Sequence, residues 1–189
     1  MTQPFDDCDI PGAGLLRPPF MTDARGSFTK PFSGGFELSP GRPFAIAEVF
    51  WSSSELGVVR GLHFQNPPTA VAKIVFVVTG AVRDVVLYLR VGSPTFGRHS
   101  VFELHESSGA VVVPAGCAHG FEVVEGPAVT CYLQDGPFDP LTDTGIRWDS
   151  CGVEWTTDTP LLSERDRALP PLDDVLSLSP FRLDGATVG

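Results

Sequence analysis

The sequence predicts an all-β chain, built as an antiparallel sandwich or barrel. Short runs rich in Val, Phe and Ile recur between residues 44 and 134, turn-forming residues separate them, and helical patterning is confined to short stretches near the ends. The 20 glycines and 18 prolines of the 189-residue chain make up about a fifth of it, against an average usage of roughly 12%. They are spread as punctuation rather than gathered in a linker, so one domain covering 1–189 is expected.

The candidate strands, in order, are 44–50, 58–64, 72–78, 82–89, 97–104, 110–113, 119–124 and 128–134. Turns are marked by Pro18-Pro19, Gly34-Gly35, Pro40-Gly41, Pro67-Pro68, Gly92-Ser93-Pro94 and Pro114-Ala115-Gly116. In 82–90, Val82, Asp84, Val86, Tyr88 and Arg90 share one face. An aspartate among valines is either at a site or paired. One helical turn is expected at 35–38. A second is expected at 163–168, with Ser163 as N-cap and Pro170-Pro171 as its stop. From about 177 the chain is small and polar, and a loosely ordered tail is expected.

Thirteen Lys and Arg against 23 Asp and Glu give a formal net charge of −10. That balance excludes sequence-independent nucleic-acid binding, which needs clustered cations. It leaves room for a small phosphorylated ligand held by a few converging cations. No apolar stretch approaches the length of a membrane span, and the acidic start predicts no signal peptide. The cysteines, Cys8, Cys117, Cys131 and Cys151, form no Cys-x-x-Cys pair, so free thiols and a cytoplasmic location are expected.

Candidate chemistry falls on a few residues. His63 alternates with Gly61 and Gln65, a small and a polar neighbour, so that strand face suits a cavity. Lys73 opens a strongly apolar run and must either snorkel or face a wet pocket. His119 stands at a strand opening and Tyr132 within a strand. Each also has a plainer reading: a satisfied core histidine, an edge-strand lysine, a wall tyrosine with its hydroxyl at the rim. His99 and His105 read as surface residues. No His-x-His occurs, and Glu103-Leu104-His105-Glu106 reads as solvated, so no metal site is expected. There is no Gly-x-Ser-x-Gly elbow.

An ordered set of motifs goes further. Asp23-x-Arg25-Gly26-x-Phe28, Arg60-Gly61-Leu62-His63-Phe64-Gln65 with Lys73, Gly92-Ser93-Pro94-Thr95-Phe96-Gly97, Pro114-x-Gly116-x-Ala118-His119-Gly120-Phe121, Gly145-Ile146-x-Trp148 and Leu162-Ser163-Glu164-Arg165-Asp166-Arg167 follow one another with compatible spacing. Together they resemble the dTDP-4-dehydrorhamnose 3,5-epimerase family, over about residues 10–172. The resemblance implies a cupin-type jelly-roll β-barrel with short peripheral helices. It also implies a homodimer, no metal or organic cofactor, and a nucleotide-linked (dTDP) 4-keto-6-deoxyhexose substrate inverted at C3, C5 or both.

By position, the resemblance makes His63 the base, Asp166 its carboxylate partner, Lys73 the enolate stabiliser and Tyr132 the proton donor. Arg60, His119 and Arg167 match positions near the ligand's phosphates. Arg25 and Phe28 fall on the N-terminal segment that family dimers extend to the neighbouring subunit's site. Departures cluster around the ligand: the family commonly has Glu at Lys30, Gln at Glu48, Asn at Phe50 and a tyrosine at Phe138. Lys30 and Glu48 either pair with each other or lie in a solvated loop. These departures point to a specialised deoxysugar enzyme of natural-product biosynthesis. The competing readings are a metal-dependent cupin enzyme and a non-catalytic sugar-nucleotide binder.

Overall fold

The computed structural model describes residues 4–39 and 41–183. Met1-Thr2-Gln3, Pro40 of the expected Pro40-Gly41 turn, and the tail beyond 183 lie outside the described residues. The strands are β1 (Phe5–Asp7), β2 (Gly14–Leu16), β3 (Phe20–Asp23), β4 (Gly26–Thr29), β5 (Glu37–Ser39), β6 (Arg42–Pro43), β7 (Glu48–Ser54), β8 (Val59–Gln65), β9 (Lys73–Tyr88), β10 (His99–His105), β11 (Ala110–Val113), β12 (Cys117–Gln134) and β13 (Asp143–Gly145). Two short helices follow, α1 (Glu164–Arg167) and α2 (Leu172–Leu178). The main antiparallel sheet runs β1-β2-β11-β9-β12-β8-β13, with β10 beside β9 and β7 beside β12. This is the jelly-roll barrel with peripheral helices that the sequence led us to expect.

Two expected pairs of strands are in fact single bent strands. The runs 72–78 and 82–89 merge into β9, and 119–124 and 128–134 merge into β12. Gly80 has φ +75°, and a Cβ there would stand 2.5 Å from the Glu125 carbonyl oxygen. The glycine therefore lets β9 turn a corner against β12 while the hydrogen-bond ladder continues on either side. Because both strands cross the corner, they hold the two halves of the barrel together.

Strand alternation sorts the side chains. Val75, Val77, Val82, Val86, Phe121, Val123 and Tyr132 face inward with Val111 and Val113. The opposite face of one half carries Leu62, Phe64, Val85 and Leu87, covered by Ile146, Leu172 and Phe181 from the C-terminal segment. The opposite face of the other half carries Ile74, Val112 and Leu133, covered by Leu16 and Phe44 with Phe32 and Phe36 against them.

The turn expected at 163–168 is α1, capped by Ser163 and ended at Arg167 ahead of Pro170-Pro171 as expected, and Pro171 then serves as the N-cap of α2. Two expectations need correction. Residues 35–38 form no helical turn; Glu37–Ser39 is a strand paired with Arg42–Pro43, and Phe36 packs on the barrel. The chain from 177 to 183 is docked rather than loose. The Ser179 hydroxyl donates to the Leu89 carbonyl at 2.6 Å, and Phe181 is buried.

Candidate active site

A cavity of about 230 Å³ opens inside the barrel, lined by residues that include Phe50, Arg60, His63, Gln65, Lys73, His119, Tyr132, Phe138, Asp143 and Arg165. On β8 the period-2 pattern puts Gly61, His63 and Gln65 on the cavity side and Leu62 and Phe64 in the outer core. Arg60 joins them because the β8–β12 register shifts between the pairs His119–His63 and Phe121–Arg60. That irregularity turns Arg60 onto the face its parity would deny it. Gly61 sits at the shift with φ +107°, where a Cβ would meet the His119 carbonyl oxygen at 2.7 Å and Gly120 Cα at 2.8 Å.

His63 Nε2 lies 2.6 Å from Asp166 Oδ1. Asp166 is carried by α1, which the Ser163 side chain caps by accepting from the Asp166 N–H at 3.0 Å. Burial pushes the Asp166 carboxyl upward. The His63 ring, the Gly61 N–H and Ser163 more than offset it, and the carboxyl ends below its ordinary value. A carboxylate at Nε2 holds the ring proton there, which leaves Nδ1 with the basic lone pair.

Lys73 is the first residue of β9, opposite Gln134 of β12. Burial lowers its ammonium to about 8, opposed by Asp143 and reinforced by Arg165. Asp143 and Arg165 themselves form an ion pair of 2.6 Å at the cavity wall. Tyr132 is 8% exposed, and burial raises its phenol. Its ring is stacked on Phe50, its cross-strand neighbour on β7, with centroids 4.7 Å apart and planes at 12°. His119 meets the same ring edge-on at 6.1 Å.

His119 is 4% exposed, and its Nε2 lies 2.8 Å from Asp84 Oδ2. The aspartate read as either at a site or paired is therefore paired inside the barrel. Arg60 donates to Ser54 Oγ at 2.9 Å and to the Ser53 carbonyl at 3.3 Å. No carboxylate pairs with it among the described residues, so its charge is available to an anion.

The site residues expected from sequence thus divide. His63, Lys73, Tyr132, Asp166, Arg60, His119 and Phe138 converge on this cavity. Arg167 does not: it is exposed, and Arg165, two positions earlier on α1, lines the cavity. Arg25 and Phe28 stand on the β3–β4 hairpin, a separate two-stranded sheet, with the Arg25 side chain 90% exposed and paired with Asp23. Lys30 is exposed just beyond it. Asp84, Asp143 and Arg165 were not singled out as site residues. Only the misplaced polarity of Asp84 signalled its role, since Asp143 and Arg165 lie in segments without strand periodicity. No cluster of three or more His, Cys, Asp or Glu is placed to hold a metal ion among the described residues. No described helix is long and apolar enough to cross a membrane.

The family profile described as dTDP-4-dehydrorhamnose 3,5-epimerase matches residues 7–174. The chain belongs to the dTDP-4-dehydrorhamnose 3,5-epimerase family. It is 41% identical over 162 residues to a dTDP-4-dehydrorhamnose 3-epimerase of Streptomyces niveus, covering 84% of this chain and 78% of that one. Its fold superposes with TM-score 0.89 on NovW, a 4-keto-6-deoxy sugar epimerase from the novobiocin cluster of Streptomyces spheroides, at 36% identity and covering 97% and 94% of the two chains. With ChmJ, a 3'-monoepimerase from Streptomyces bikiniensis crystallised with dTDP-quinovose, the TM-score is 0.85 at 32% identity, covering 93% and 91%.

Within this family of isomerases, the unusual residues have structural roles. Glu48 does not pair with Lys30: its Oε1 accepts from the Phe138 N–H at 3.0 Å. Gln65 clamps the same loop, donating to the Pro137 carbonyl at 3.3 Å and accepting from the Asp139 N–H at 3.1 Å. The backbone around Phe138 is therefore held at the cavity by Glu48 and Gln65, and the residue is 56% exposed.

Proposed function

We propose that the protein epimerises a dTDP-linked 4-keto-6-deoxyhexose beside its ketone, with His63 as base, Lys73 as enolate stabiliser and Tyr132 as proton donor. The observation that carries this reading is the convergence of an Asp-paired imidazole, a buried ammonium and a buried phenol on one cavity. At about 230 Å³ the cavity is smaller than the roughly 300–1,000 Å³ typical of ligand pockets. It suits the hexose, with the diphosphate towards Arg60 and the nucleoside out past Phe138.

A carbon acid beside a ketone is labile only because its electrons move to the oxygen. His63 takes the proton at Nδ1 as the C–H bond breaks, and Asp166 stabilises the imidazolium. The electron pair becomes an enolate whose oxygen meets the Lys73 ammonium, charge placed where charge develops. The Tyr132 O–H then gives its proton to the opposite face of the planar carbon, which inverts it. The cycle closes when solvent takes the proton from His63 and returns one to the phenolate.

A specialised pathway is supported by Phe50, Glu48 and Phe138 standing where the family commonly carries other residues. Homodimerisation is supported by the β3–β4 hairpin, which leaves Phe20, Met21 and Phe28 exposed beside Arg25. We assign that hairpin to the neighbouring subunit's site.

Incubation with dTDP-4-keto-6-deoxyglucose in heavy water tests the reading. Solvent deuterium should enter the sugar beside the ketone, His63→Ala should abolish it, and Tyr132→Phe should give wash-out without inversion. An inert wild-type protein, or a Tyr132→Phe variant that inverts normally, would overturn it.

A further inference from the structure

The donor's ring has two ring neighbours. Tyr132 and Phe50 are directly opposed across the β12–β7 ladder, and their rings lie nearly parallel at 4.7 Å. His119 closes on the same ring edge-on, and Asp84 fixes that imidazole in turn. His119 and Asp84 are buried, so this side of the clamp belongs to the barrel core. Phe50, 38% exposed at the open side, is the replaceable jaw.

This geometry bears on how many carbons one phenol can serve. A 4-keto sugar has an acidic C–H on each side of its carbonyl. To reprotonate both, the donor hydroxyl or the sugar must shift from one side to the other between events. A stacked, wedged ring cannot make its share of that movement without breaking the stack. We propose that Phe50 is a positioning residue that confines reprotonation by Tyr132 to one of the two carbons flanking the ketone. The inference rests on the epimerase reading above, and adds to it the residue that sets the number of inverted centres.

Wild-type protein, Phe50→Asn and Phe50→Tyr are each incubated with dTDP-4-keto-6-deoxyglucose in heavy water, and the label that arrives with inversion at C3 and at C5, the share Tyr132 delivers, is followed by NMR. Asn is what the family commonly carries in this barrel, and Tyr keeps the ring stack. The wild type should label one carbon strongly in preference to the other. Phe50→Asn should narrow that ratio by about two- to ten-fold, the range an aromatic stack is worth, while Phe50→Tyr preserves it. Comparable labelling of both carbons by the wild type overturns the role of Phe50 and leaves the epimerase reading standing. An unchanged ratio in Phe50→Asn does the same. Absence of label at both carbons in the wild type defeats both readings.

Discussion

Replacing Lys73 with methionine should stabilise the protein while abolishing its exchange activity. Burial lowers the ammonium to about 8 from an ordinary 10.5. The gap of about 2.5 pH units, at 1.36 kcal/mol each, is about 3 kcal/mol. The sign follows from which state binds the proton more tightly. Below about 8 both folded and unfolded chains carry the charge, and the folded one bears its full desolvation cost. Between about 8 and 10.5 the folded state sheds the proton first, and the cost disappears. Lys73→Met, which keeps the apolar stem, should therefore be more stable than wild type by up to about 3 kcal/mol at pH 7. The advantage should shrink to below about 1 kcal/mol by pH 10. Urea titrations of both proteins at the two pH values measure this, and the subtraction removes the contribution of Tyr132, which both share. A variant less stable than wild type at pH 7, or a difference independent of pH, would refute the reasoning. The wild-type exchange rate should likewise fall as pH rises through about 8, where the enolate loses its counter-charge.

Asp166→Asn should leave the barrel folded but lower exchange by about 10²–10⁴-fold, the usual worth of a positioned acid–base group; stopped-flow wash-out in heavy water reads this directly. The lowered Asp166 carboxyl stabilises the fold above its ordinary pKa, and that stability is lost as pH falls through the lower folded value. Wild type should lose an acid-side increment that Asp166→Asn lacks, seen by comparing thermal midpoints between pH 6 and 3. Gly61→Ala should cost about 1–3 kcal/mol for its backbone conformation alone. Its added methyl must also displace the His119 carbonyl and Gly120, so loss of activity should accompany a lower thermal midpoint.

Much of this was legible from residue order. Period-2 alternation placed His63 and Gln65 on a cavity face, and an aspartate among valines announced a buried partner, which is His119. The family resemblance pointed to Tyr132 and Asp166, which no local pattern marks, and both lie at the cavity beside His63. What escaped was governed by long-range pairing. Gly80 and Gly126-Pro127 look like strand ends, yet the ladder resumes beyond them because β12 and β9 bend together. Residues 35–38 lack strand periodicity and acquire pairing only through Arg42–Pro43 and the barrel beneath Phe36. The cation on α1 facing the cavity is Arg165 rather than Arg167. In a single turn whose Asp166 points at His63, which flanking arginine reaches the cavity depends on how that turn docks. The C-terminal segment looked loose because its anchors, Ser179 and Phe181, are single residues in a stretch without helix or strand periodicity.

The pairing of His63 with Asp166 joins positions 103 residues apart. All nine strands of the main sheet precede Asp166 in the chain, so a nascent protein could complete every rung of the ladder and still hold an undirected imidazole. On the mechanism proposed above, full catalytic competence waits for one late helical turn, capped by its own serine, to dock on the finished scaffold. On that mechanism, synthesis from the N-terminus ties full turnover to emergence of the C-terminal segment, and a product truncated before that turn would keep the sheet's strands and lack the carboxylate that directs His63.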